Sequence, residues 1–127
     1  MSHDEWSEEL PPNCPPKEAE PPNDRRFYRL VDSFPPSSSD FVSNRTLFPN
    51  SRFNVDECVA RALSIFETEA ACTRIRKLPL HKHQVLVVLS LPDASGLILR
   101  TAKHTHYSWW KRRSFDPIPI CTLVDNE

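Results

Sequence analysis

The sequence predicts an α+β domain: a small antiparallel or mixed β-sheet with one or two helices packed on one face. Three observations carry that expectation. Short β-prone runs recur at 27–31, 85–91 and 97–101, a marked helix start stands near Asn54, and stretches rich in proline, serine and asparagine separate them.

Taken in order, Phe27, Tyr28, Leu30 and Val31 give a first strand that stops at Ser33-Phe34-Pro35-Pro36. From Pro35 to Arg52 the chain is polar and proline-containing yet holds Phe41, Val42, Leu47 and Phe48, which reads as an irregular segment pinned to the core and a candidate binding loop. Asn54 can cap a helix beginning at Val55, with Glu57 placed to reach back to the cap amide, and Val55, Cys58, Val59, Ala62 and Leu63 form its apolar stripe. Beyond Leu63 two readings stand: one long helix to Ile75, or a short strand 63–66 followed by a helix capped by Thr68. Val85 to Leu91 is near-continuously aliphatic, as a central strand buried on both faces requires. Pro92-Asp93-Ala94-Ser95-Gly96 is turn chemistry before a second apolar run, so a hairpin is expected there. His104, His106 and Ser108 alternate with Thr105, Tyr107 and Trp109 as a further strand, and Pro117 and Pro119 reduce 118–124 to a bent edge strand or an extended tail.

The 127 residues include thirteen prolines and one glycine, which excludes phosphate-binding loops built on several glycines. Net charge is −1, but residues 1–24 carry seven acids and one lysine and the rest is +5. Three Pro-Pro pairs break the acidic segment, so residues 1–24 are expected to be a disordered acidic tail and 25–127 a single domain. That tail can also be read as a ligand for a partner, or as a mask over the basic remainder. No basic, apolar leader opens the chain and the longest apolar run is five residues, which predicts a soluble protein without a membrane partner. Cys14, Cys58, Cys72 and Cys121 form no close pair; reduced thiols, the last three buried, and a cytoplasmic location are expected.

Charge supplies the strongest functional signal. Between Arg74 and Arg113 stand nine lysines and arginines against one acid, Asp93. Arg100, Lys103, His104, His106, Tyr107, Trp109, Trp110, Lys111, Arg112 and Arg113 interleave rings with cations, a pattern suited to stacking on bases while meeting phosphates. A solvated basic face, with Trp109 and Trp110 as core packing, is the structural alternative. The pairs His81/His83 and His104/His106 each lie on one side of an extended chain, but no carboxylate pattern completes a metal site and no metal is expected.

Phe27-Tyr28-Arg29-Leu30-Val31, Asp40-Phe41-Val42-Ser43 and Leu63-Ser64-Ile65-Phe66 followed by Glu67-Thr68-Glu69-Ala70-Ala71 together resemble the start of ADP-ribosyltransferase-type folds, including RES-domain toxins. The resemblance covers residues 27–75 and depends on 63–66 being a strand. It implies a split β-sheet around an NAD cleft and either ADP-ribose transfer or NAD degradation. By position, it makes Arg29 and Ser64 the NAD-binding residues and Glu67 or Glu69 the catalytic acid. The glycine-rich segment of RES domains has no counterpart here.

Two functions follow. One is a small nucleotide-binding toxin or effector domain that takes NAD. The other is a non-enzymatic module whose basic half docks nucleic acid or an acidic protein partner.

Overall fold

The computed structural model describes residues 5–102 and 105–124. Nine regular elements follow in chain order: β1 (Arg25–Val31), α1 (Asn44–Leu47), α2 (Glu57–Ala60), β2 (Leu63–Phe66), α3 (Glu69–Arg76), β3 (Val85–Leu91), β4 (Gly96–Arg100), β5 (His106–Lys111) and β6 (Thr122–Leu123). The strands make one antiparallel sheet in the order β4-β5-β2-β1-β3-β6, an α+β fold with short helices. No helix among the described residues is long and apolar enough to cross a membrane.

The sheet is nearly cut in two. β1 and β3 pair over seven registers, whereas β1 and β2 share the single bridge Tyr28–Phe66. Phe27, Val31, Val87, Leu89 and Leu91 of one half meet Leu63, Ile65, Ile98, Tyr107 and Trp109 of the other in a common core. The two halves therefore share one core across that junction, and period-two alternation decides which side chains enter. On β2, Leu63 and Ile65 are buried while Ser64 and Phe66 occupy the opposite face.

Strand chemistry wins at 63–66, and Thr68 caps α3 by accepting from the Ala71 amide. The helix expected from Val55 is instead one turn starting at Glu57, because Asp56 takes the cap position and accepts from Val59 N. Glu57 does not reach back to a cap amide; Arg45 and Arg61 both hold it sideways, at 2.9 and 2.8 Å.

The expected hairpin is overturned. β3 pairs with β1 and β6, β4 pairs with β5, and Pro92–Ser95 carries the chain between the two halves. Gly96 permits this crossing: its φ is +138°, and a Cβ there would lie 2.0 Å from the Trp110 carbonyl oxygen. Local turn composition identifies a bend without saying which strands it joins.

Two further expectations need correction. Cys14 and Cys58 are joined in a disulfide across 44 residues, so Cys58 is no free buried thiol; only Cys72 and Cys121 are free. Spacing along the chain carries no sign of this pairing, and it removes the argument from reduced thiols to a cytoplasmic home. The acidic segment, expected to be mobile, lies along the domain from Glu5 onward. Ser7 N donates to Lys111 O, Arg113 N donates to Glu5 O, and Glu20 exchanges two backbone hydrogen bonds with Ile98. Glu5 meets Arg112, Glu20 meets Arg25 and Cys14 is tied to Cys58, contacts that offset the ordering cost that composition alone suggests is prohibitive.

Candidate functional site

At the junction between the halves, the β1–β2 ladder leaves a gap and Arg29 fills it. Arg29 shares the inward face of β1 with Phe27 and Val31, and its guanidinium lies over the Phe41 ring at 5.5 Å. Nη1 donates to the Ser64 carbonyl at 2.6 Å, while Nε and Nη2 donate to the Asp40 carbonyl at 3.2 and 2.8 Å. Burial lowers its pKa to about 10, against the opposing pull of the Asp40 carboxylate. That carboxylate accepts instead from the amides of Asp32 and Ser37. Arg29 thus binds Ser64 through its main chain.

The Ser64 hydroxyl, on the other face of β2, meets His106 Nε2 at 3.0 Å. Antiparallel pairing of Ser64 with Ser108 and of Phe66 with His106 creates this meeting, and the Phe66 and His106 rings touch edge to face. His106 Nδ1 lies 3.3 Å from Thr101 Oγ1, which is 2.6 Å from Ser108 Oγ. The result is a continuous chain, Ser64–His106–Thr101–Ser108. Burial lowers the His106 pKa, so the ring is held neutral, with one nitrogen donating and the other accepting. A hydroxyl beside a neutral, oriented imidazole can be positioned or relieved of its proton.

Glu67 stands just beyond β2, accepts from the Tyr107 hydroxyl at 3.1 Å and pairs with Arg100 at 3.4 Å. Because Tyr107 alternates with His106 along β5, this carboxylate lies on the face of the sheet opposite the Ser64 and His106 side chains. Glu69 is exposed in the first turn of α3 and makes none of these contacts, so the two candidate acids do not act as a pair.

The expected stacking surface is corrected by burial. Trp109 and Trp110 are 0% and 1% exposed, and their indole N–H groups donate to Ser95 O and Cys58 O. Neither ring offers a face to a base. Tyr107 is also buried, against Phe27, with Arg25 and Arg100 over its ring.

Lys111 and Arg113 line one cleft, but Arg100 and Arg112 do not line it. Arg100 turns to Glu67, Arg112 pairs with Glu5 and lies over Trp6, and Lys111 donates to the Arg112 and Phe115 carbonyls. Arg113 is exposed. Lys103 and His104 lie outside the described residues.

Free thiols are poor nucleophiles here: burial pushes Cys72 up to about 12 and Cys121 to about 11. Sequence reasoning missed Thr101 and Ser108 as partners of His106, although the alternation His106-Tyr107-Ser108 already placed the first and last on one face. It also missed Ser43 and Thr46, whose hydroxyls both donate to Glu8. Compared with known proteins, the chain matches no family model, no curated protein and no solved structure.

Proposed function

We propose that this chain is a nucleotide-handling domain of ADP-ribosyltransferase-like type, taking NAD or a related phosphate-bearing nucleotide at the junction between β1 and β2. The observation that carries the reading is the direct contact of Arg29 on β1 with Ser64 on β2, at 2.6 Å, with His106 bound to the Ser64 hydroxyl. Support also comes from a sheet divided at that junction and from the strand at Leu63–Phe66, both of which the resemblance requires.

Ser64 Oγ is the hydroxyl that meets the ligand, and His106 fixes its orientation and can accept its proton. Arg29 acts as a positioning residue, because its three donor atoms already engage carbonyl groups. Glu67, which directly follows β2 and is held by Tyr107 and Arg100, is the candidate acid that the resemblance implies.

Calorimetric titration with NAD and with ADP-ribose tests the reading. Saturable binding is expected, weakened at least tenfold by Ser64→Ala and by His106→Gln while the circular dichroism of both variants stays that of the wild type. Absence of saturable binding to the wild type, or unchanged affinity in both variants, overturns it.

A further inference from the structure

We infer that the end of β5, together with Ser43 and Thr46, is a docking seat for an extended acidic peptide of a partner protein, and that residues 5–9 of this chain occupy it as a built-in competitor. This inference does not rest on the nucleotide reading, which concerns the opposite end of β5.

The seat is defined by what sits in it. Glu5 pairs with Arg112, and Trp6 lies under the same guanidinium, 4.7 Å from ring centroid to carbon. Backbone bonds flank that contact, from Ser7 N to Lys111 O and from Arg113 N to Glu5 O. Glu8 then inserts its carboxylate between Ser43 N at 2.7 Å, Ser43 Oγ at 2.5 Å and Thr46 Oγ1 at 2.9 Å. Ser43 is the N-cap of α1, its hydroxyl accepting from Thr46 N, so this carboxylate site is fixed by the helix start. Arg61 closes the run by donating to the Glu9 carbonyl at 2.7 Å. Beside the seat lies a cleft of about 360 Å³ walled by Ser7 and Glu8 on one side and by Phe41, Lys111, Phe115 and Ile118 on the other.

These contacts read a peptide. Two of them are main-chain bonds to an extended backbone, the mode of strand addition, and a planar carboxylate satisfies the Ser43 amide and the two hydroxyls together. A nucleic acid strand offers no such backbone ladder. The resident segment is tethered and further tied by Cys14–Cys58, so its effective concentration at the seat is about millimolar or higher. A partner peptide gains access when that advantage is reduced.

The test uses the full chain and a fluorescent peptide of residues 5–12 supplied in trans. Glu5→Ala/Glu8→Ala is expected to bind the peptide at least tenfold more tightly than wild type by anisotropy, and adding Arg112→Glu is expected to abolish that gain. Equal binding to wild type and the double variant overturns the inference. So does a gain that survives Arg112→Glu, or preference of the double variant for a single-stranded oligonucleotide over the peptide. In the unmodified chain, excess peptide is expected to accelerate amide hydrogen exchange in residues 5–9; unchanged exchange at about millimolar peptide also overturns it.

Discussion

Arg29→Met keeps most of the aliphatic stem and removes the guanidinium, so it isolates what the three donors do between the sheet halves. The substitution deprives the Ser64 and Asp40 carbonyls of donors at 2.6, 2.8 and 3.2 Å. An acceptor orphaned away from water costs about 1–3 kcal/mol, and release of a buried cation's desolvation cost offsets part of the loss. For two half-buried carbonyls the expected net destabilisation is about 2–3 kcal/mol. Urea unfolding followed by circular dichroism converts this, at a slope of about 2 kcal/mol per molar urea, into a midpoint lowered by about 1–1.5 M. A midpoint within about 0.2 M of wild type would refute the reasoning, because the guanidinium would then hold no share of the junction. Arg29→Lys should recover little, since an ammonium cannot reach both carbonyls as the planar fork does.

Cys58→Ser opens a cross-link spanning 44 residues, and chain-entropy arguments give a loss of about 4 kcal/mol, read by unfolding without reductant. Reductant should bring the wild type to the same stability; wild type and variant unfolding together without it would refute the linkage. Gly96→Ala should cost at least about 2 kcal/mol because φ is +138° and the added methyl meets the Trp110 carbonyl; a wild-type melting curve refutes that account. His106 titrates in the fold below its ordinary value of 6.5, so its contribution is complete above that pH and declines as pH falls through the window below it. His106→Gln should flatten that acid-side loss in unfolding measured from pH 7 to pH 5; an unchanged pH profile would refute the assignment. Cys72 and Cys121, with thiol values of about 12 and 11, should resist iodoacetamide at pH 8 until the protein is unfolded, and rapid native labelling would contradict their placement.

Local patterning made several elements readable: the β-prone run at 27–31, the aliphatic run at 85–91, and the Thr68 cap of α3 all appear where side-chain period and capping chemistry put them. Pairing was less legible. Pro92 to Gly96 looks like a hairpin turn, yet the strand order sends β4 to the far edge beside β5 instead of to β3. Arg29 and Ser64 were visible as candidates, yet their contact through a main-chain carbonyl depends on an interrupted ladder that no single segment encodes. Charge counting found the basic half of the chain but not its directions, because strand alternation and the partners Glu5 and Glu67 scatter the cations. Composition also misjudged residues 5–24, whose anchoring contacts include long-range ones: Glu8 meets residues 35 and 38 positions away, and Cys14 meets one 44 away.

The Glu20–Ile98 bridge lies on β4, an outer strand of the sheet, while the opposite margin ends in the two-residue β6. An open margin offers unpaired amides and carbonyls to any other extended chain, a route to aggregation. Here the chain's own segment covers the middle of that margin. Pro21 and Pro22 follow at once, lacking the amides needed to extend the ladder, so the guard cannot itself recruit another strand beyond them. Two of the thirteen prolines thus have a use beyond interrupting helices: beside Glu20 they let one pairing form and then stop it.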